Sequence, residues 1–230
     1  TVFDRVEPCF QSSDKVDLYQ LAESLSRLLP SACTLVTDSG LAEVILPSNI
    51  WFSKDMRCLH PASQGAMGFA LPAAIGAQHA QELPVAVVVG DGSIMMNLQE
   101  LESIRHQKLP IKIMVISNNV YSIIRRRQVD LFRKRTIGTD PGNGVSCPDF
   151  EKVADCFGLA YMKIDSVDEL DSGLMELFAS DGAVLCEIAG REDQGYIEVG
   201  RARSTIDRRL VRRPLEDQMP FLDREFFNQE

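Results

Sequence analysis

The 230-residue chain has no CxxC pair, and its six cysteines (9, 33, 58, 147, 156 and 186) are scattered, several of them inside apolar segments. A reduced cysteine in such surroundings behaves as a small hydrophobe, so the pattern speaks for a reducing, cytoplasmic setting. Histidine is scarce as well. His60, His79 and His106 show no ligand spacing, which argues against a zinc site. Long apolar runs are missing: the best, such as Val85 to Val89, is far too short to cross a bilayer, and no membrane association is expected. Positive charge is in deficit, with 24 Lys and Arg against 33 Asp and Glu, and a net charge of −9 removes general nucleic-acid binding from consideration. The first residues, TVFDRVEPCF, lack an initiator Met, a basic region leading into an apolar stretch, and a cleavage site. They read as neither signal nor transit peptide but as a cut from a longer chain.

What is present is globular composition, 45% hydrophobic and 25% charged, at a length that suits one large α/β domain with tails. Residues 1–14 read as an interdomain linker, 15–190 as the domain and 191–230 as an ordered tail. Asp14 is placed to cap a helix whose Leu18, Leu21, Leu25 and Leu28 recur at helical spacing, ending at Pro30. Short apolar segments then follow at 33–36 (CTLV), 85–89 (VAVVV), 111–116 (IKIMVI), 159–164 (LAYMKI) and 183–188 (AVLCEI). Helical patterns at 68–81, 98–107, 149–157 and 167–179 separate them. Continuous apolar strands alternating with helices predict a doubly wound, three-layer α/β/α fold on a mostly parallel sheet. Two basic clusters, one over Arg125, Arg126, Arg127, Arg133, Lys134 and Arg135 and one over Arg201, Arg203, Arg208, Arg209, Arg212 and Arg213, read as solvated or subunit-facing surface. In the tail, Met219, Phe221, Leu222, Phe226 and Phe227 speak against a flexible end.

Ligands of an open parallel sheet collect at the carboxyl ends of its strands. VAVVV runs into Gly90-Asp91-Gly92-Ser93, and IKIMVIS runs into Asn118-Asn119-Val120-Tyr121. Asp91 and Asn118 are 27 residues apart, one crossover, so parallel neighbours would bring both loops to the same edge. Gly90 and Gly92 permit close backbone approach, and Ser93 opens a segment whose free N–H groups favour a phosphate. Magnesium takes about six oxygens and draws several from substrate phosphates and water. Asp91, Asn118 and the main-chain carbonyl of Val120 are the expected protein ligands. A lone GDGS is commonly only a turn; the whole arrangement is far more specific.

The segment GDGSIMMNLQELESIRHQKLPIKIMVISNNVYSI resembles the cofactor signature of thiamine-diphosphate enzymes, in the diphosphate-binding domain of the acetolactate synthase group. Upstream, Gly65-Ala66-Met67-Gly68-Phe69-Ala70-Leu71-Pro72-Ala73-Ala74-Ile75-Gly76 resembles the segment that passes beneath the thiamine in that family. The resemblance implies that the Gly65 carbonyl accepts from the aminopyrimidine, and that Met67, in isolation ordinary helix core, is the wedge that bends the cofactor. It implies thiamine diphosphate and Mg2+ as cofactors, with Gly65, Met67, Gly90, Gly92, Ser93, Asn118 and Tyr121 on the cofactor and Asp91, Asn118 and Val120 on the metal. The tail RRPLEDQMPFLDREFF resembles the ends of acetolactate-synthase-like proteins of surface-polysaccharide pathways.

No catalytic residue is expected in this chain itself. In the family the activating glutamate comes from a separate pyrimidine-binding domain, on the same or a second chain, and sites form between subunits, which implies a homodimer or homotetramer. Glu100 and Glu102, on the crossover helix, read as structural or surface residues. Dedicated acetolactate synthases carry a tryptophan shortly after the NN loop, whereas residues 123–128 here read IIRRRQ and the single tryptophan is Trp51. Arg125 to Arg127 face either an anionic acceptor or a neighbouring subunit. FAD, held in some relatives by a central domain, is neither supported nor opposed. The leading expectation is the cofactor-binding part of a carboligase or decarboxylase acting on pyruvate or a similar 2-keto acid. A subunit of a two-chain decarboxylase and a non-catalytic module of the same fold are the alternatives.

Overall fold

The computed structural model describes residues 14–196, 201–203, 210–214, 217 and 225, which fall into two compact units, one ending at Gln194 and one beginning at Gly195. The first unit carries α1 (Leu18–Leu28), β1 (Thr34–Thr37), α2 (Leu41–Asn49), β2 (Arg57–Leu59), α3 (Ala70–Ala80) and β3 (Val85–Gly90). It continues with α4 (Asp91–Ile94), α5 (Glu100–His106), β4 (Lys112–Ser117), α6 (Ser122–Leu131), α7 (Phe150–Phe157), β5 (Ala160–Ile164), α8 (Leu170–Ala179) and β6 (Val184–Ala189). The six strands form one all-parallel sheet in the order β2-β1-β3-β4-β6-β5. The expected α/β class and parallel sheet are therefore present. No helix among the described residues is long and apolar enough to cross a membrane.

Strands β1, β3, β4 and β6 are buried almost throughout because helices cover both faces of the sheet. On one face Ala70, Leu71, Ala74 and Ala77 of α3, Leu101 and Ile104 of α5 and Phe150 of α7 pack on alternate strand residues, among them Val85, Val87, Val89, Ile113 and Val115. A second helical group joins α1 to α2 and α8, with Leu21 and Leu25 of α1 fully buried. Lys112 starts β4 inside this frame. Burial lowers its pKa, and its ammonium donates to the Ser180 and Gly182 carbonyls at 2.7 Å each.

Three elements escape the sequence pattern. α2 contains Pro47, which removes a helical N–H; β2 is a three-residue edge strand, largely exposed; and α6 buries none of its residues. The cap of α1 also differs from expectation. Asp17, not Asp14, is the N-cap, with Oδ1 accepting from Tyr19 N at 2.8 Å. Asp17 is fully buried, and its Oδ2 is met by Gln194 Nε2 at 3.2 Å and Arg191 at 3.3 Å. Val16 lies beside Gly190 as a parallel bridge, Arg191 N donates to the Val16 carbonyl at 3.2 Å, and Gln194 accepts from Leu18 N at 2.9 Å, so residues just past the predicted limit of 190 are tied to the start of α1. In the second unit β7 (Arg201–Arg203) pairs antiparallel with β8 (Leu210–Arg212), and Arg213 pairs with Asp217 at 2.6 Å. The apolar tail residues at 219, 221, 222, 226 and 227, Arg208, Arg209 and most of the predicted linker lie outside the described residues.

Candidate functional site

From β1 the chain runs to the sheet edge at β2, then returns to the other side of β1 at β3. The loops leaving β1 and β3 consequently diverge, and a crevice opens between them at the carboxyl ends of the strands. A cavity of about 280 Å³ occupies this place, walled by Ser39 and Gly40 after β1, Gly90 and Asp91 after β3, and Asn118 and Tyr121 after β4. Gly65, Met67, Gly92, Ser93 and Val120 complete the set of predicted residues in its lining. The register of β3 on β4 pairs Gly90 with Ile116, which is how one crossover brings Asp91 and Asn118 together.

Asp91 is 3% exposed. Its Oδ2 accepts from Asn118 N at 2.9 Å and Asn119 N at 2.6 Å, and its Oδ1 accepts from Gly92 N at 2.7 Å. Burial pushes its pKa up, opposed by those three N–H groups and by the Cys147 thiol. Among the described residues no cation pairs with this carboxylate, and no cluster of three or more His, Cys, Asp or Glu side chains stands ready to enclose a metal. A buried carboxylate without a cationic partner suits a divalent ion, which would lower its pKa. With one carboxylate available, such an ion takes the rest of its oxygens from neutral groups and from a bound ligand.

Asn118 Oδ1 accepts from Val120 N at 3.2 Å, and its amide donates to Ser122 Oγ at 3.2 Å and the Arg191 carbonyl at 3.4 Å. These bonds hold the amide oxygen beside the Val120 backbone. Gly92 serves a purpose that the phosphate reading did not anticipate. A Cβ there would stand 1.9 Å from Tyr121 Cε1, so the residue must be glycine to admit the tyrosine ring. Burial raises the Tyr121 pKa, with the Cys147 and Asp91 charges adding to it.

Space for a ligand lies elsewhere. Cβ atoms built on Gly40 or Gly90 meet nothing within 4 Å, so both glycines face open room in the cavity wall. Ser93 turns its hydroxyl to the Ser39 carbonyl at 3.4 Å and braces the two loops. The helix that contains it, α4, has only four residues, too few for the helix dipole expected there. The longer α2 and α6 begin at the cavity instead. Gly40 and Tyr121, their N-caps, supply no side-chain capping bond, so backbone N–H groups at both starts are left for other partners. Met67 is half-buried in the lining, and Gly65, at φ +57°, is exposed beside it.

Sequence reasoning missed Asp38. It is fully buried at the end of β1, with Oδ1 accepting from Ser39 N at 2.8 Å and Gly68 N at 3.0 Å and Oδ2 from Ala70 N at 2.8 Å. Asp38 thus fastens the Gly65–Met67 segment to the sheet and caps α3. Burial raises its pKa against these donors. The signal was the Asp-Ser-Gly that follows β1, a second acid at a strand end. Residues 136–147 were missed too. Asn143 Oδ1 accepts from Thr139 N at 2.6 Å and Asp140 N at 3.0 Å, and its amide donates to Thr139 Oγ1, Asp140 and Thr136. The loop so knotted offers the Thr139 carbonyl to Tyr121 N at 2.8 Å and the Cys147 thiol to Asp91. Burial, the neighbouring Asp91 charge and that hydrogen bond push the thiol up to about 12.

Two arginines of the first basic cluster pair within the chain. Arg125 pairs with Glu192 at 2.5 Å and Asp140 at 3.7 Å, and Arg126 with Asp130 at 3.3 Å. Glu102 lies on the surface against Arg105 at 2.5 Å.

The family described as "Thiamine pyrophosphate enzyme, C-terminal TPP binding domain" matches residues 38–188. The chain belongs to this family. It is 32% identical over 170 residues to the acetolactate synthase isozyme 2 large subunit of Escherichia coli (strain K12), a match that covers 74% of this chain and 30% of that protein. It is 36% identical over 144 residues to the acetolactate synthase large subunit of Porphyra purpurea, covering 61% of this chain and 24% of that protein. Among solved structures it resembles the thiamine diphosphate-dependent 4-hydroxybenzoylformate decarboxylase of Rhodococcus jostii RHA1, with a TM-score of 0.70, 27% identity, and coverage of 81% of this chain and 35% of that one. The chain thus spans less than a third of the length of these two curated relatives.

Proposed function

We propose that this chain is the cofactor-binding part of an acetolactate synthase-like enzyme that decarboxylates a 2-keto acid, with pyruvate the expected substrate, and passes the two-carbon unit to an acceptor. The observation that carries the reading is the cavity at the divergence of β1 and β3, where Asp91, a buried carboxylate with no cationic partner among the described residues, meets Asn118 and Val120. When bound, thiamine diphosphate supplies a thiazolium carbon that attacks the keto group and takes up electrons as carbon dioxide leaves. Asp91, the Asn118 amide oxygen and the Val120 carbonyl would hold Mg2+, and Gly40, Gly90 and the starts of α2 and α6 would receive the diphosphate. The Gly65 carbonyl would fix the aminopyrimidine and Met67 would support its bend, both held in place by Asp38 through Gly68 and Ala70. The activating glutamate would come from a pyrimidine-binding domain on the same or a second chain, in an assembly of at least two such sites.

A simple decarboxylase is the second reading, favoured by the 4-hydroxybenzoylformate decarboxylase likeness and by the missing tryptophan in Ile123 to Gln128. Analysis of the products from pyruvate separates ligation from decarboxylation. Cofactor binding is tested by thermal melting of the complete assembly. Thiamine diphosphate with Mg2+ at about 100 times its Kd stabilises by about 2.7 kcal/mol and so raises the melting temperature. Asp91→Ala should remove most of that shift; a full shift in the variant would overturn the anchor.

A further inference from the structure

We propose that Glu43 and His60 form a proton-delivery pair at the rim of the cavity, an assignment that rests on the function proposed above. Glu43 stands in the first turn of α2, whose Gly40, Leu41 and Ala42 line the cavity. One carboxylate oxygen, Oε1, lies 3.8 Å from His60 Nδ1. The other, Oε2, lies 3.8 Å from the position a Cβ would take on Gly65, with Ser39 Oγ 3.7 Å from the same point. Glu43 therefore flanks the cavity wall at Gly65, with His60 behind it. His60 Nδ1 is buried and makes no hydrogen bond among the described residues, with the Glu43 carboxylate 3.8 Å away. The side chains are 18% exposed at Glu43 and 35% at His60, a gradient from the wall toward solvent.

The chemistry requires such a group. Loss of carbon dioxide from a 2-keto acid leaves an electron pair on carbon, and conversion to an aldehyde or ligation to a second keto acid each consumes one proton. The carboxylates at the strand ends are poor sources, since Asp38 and Asp91 each accept three backbone N–H bonds. Glu43 accepts none. Its O–H bond breaks as the proton passes to the reacting centre, His60 returns a proton to the carboxylate, and solvent reprotonates the imidazole at its exposed edge. The titratable groups that act on Glu43 are His60 and Asp38. Burial raises its pKa most, the His60 charge lowers it and the Asp38 charge raises it, so the acid form persists to higher pH than in an ordinary glutamate.

The test uses the complete assembly with its pyrimidine-binding domain. Glu43→Gln should lower kcat for pyruvate by about a hundredfold, as general acid–base groups do, abolish the fall of kcat on the alkaline side, and keep the melting shift caused by thiamine diphosphate and Mg2+. Glu43→Asp, which keeps a carboxyl group and guards against a folding defect, should recover at least about a tenth of the activity. In cofactor-free protein the Glu43 carboxyl, followed by 13C NMR, should titrate at higher pH in His60→Gln, since the imidazolium no longer favours the anion. A kcat within about threefold in Glu43→Gln with an unchanged pH profile, or an unmoved titration in His60→Gln, overturns the pair. If Asp91→Ala abolishes the melting shift while Glu43→Gln is silent, only this inference fails; if Asp91→Ala keeps the shift, the proposed function fails with it.

Discussion

Replacing Asn143 by alanine is the sharpest probe of how the anchor is held, because this side chain lies outside the cavity lining and acts only through its neighbours. Its amide oxygen accepts from two backbone N–H groups and its amide nitrogen donates to three side-chain oxygens. Asp140 is partly open to water, which can replace those bonds, but Thr139 is fully buried and its N–H loses its acceptor at 2.6 Å. One stranded buried donor costs about 1–3 kcal/mol. That cost falls on a loop that opens locally, so it should appear in amide exchange more than in the global melt. The Thr139 and Tyr121 amides, the second donating to the Thr139 carbonyl at 2.8 Å, should exchange roughly 5- to 150-fold faster. Magnesium should then be held less tightly, since the same loop presents Cys147 to Asp91. Unchanged exchange at Tyr121, with unchanged magnesium affinity, would refute the idea that residues 136–147 brace the site.

Two further outcomes follow from the same contacts. Gly92→Ala should destabilise by about 1–3 kcal/mol through overpacking, because its methyl would meet the Tyr121 ring, and thermal melting should show the cost reduced by more than half in a Tyr121→Ala background. Asp38, whose pKa is raised by burial, binds its proton more tightly folded than unfolded, so its share of stability is full below the ordinary value of 3.8 and is lost as pH rises through the folded value. Urea unfolding of the cofactor-free protein between pH 3.5 and neutrality should show that decline flattened in Asp38→Asn, and an identical slope in both proteins would contradict it.

The strands were legible where burial on both sides leaves an unbroken apolar run. VAVVV, IKIMVI and AVLCEI became β3, β4 and β6, the sheet's central and best covered members apart from β1. β2, α2 and α6 were illegible for physical reasons that differ. Arg57–Leu59 is an edge strand with little to bury, Pro47 argues against the helix that contains it, and SIIRRRQVDL has no face in the core. The pairing of Asp91 with Asn118 was legible because one crossover fixes it. Glu43 with His60, and Thr139 with Tyr121, are joined only by tertiary placement, for which neither spacing nor residue type carries a signal.

The two strand-end acids show where the limit falls. Asp38-Ser39-Gly40 and Gly90-Asp91-Gly92-Ser93 are similar strings, each a buried aspartate at a strand end with its pKa raised by burial. What separates them is the backbone each one meets. Asp38 takes the N–H groups of Gly68 and Ala70 and so holds the segment that carries Gly65 and Met67; Asp91 takes those of Asn118 and Asn119 and so holds the loop of β4. Each acid staples a different wall, and the cavity exists because both walls are stapled to adjacent strands β1 and β3. Both acids accept three backbone N–H groups, but only Asp91 of the two lines the cavity. The acid that borders the cavity is the one placed to take a cation there.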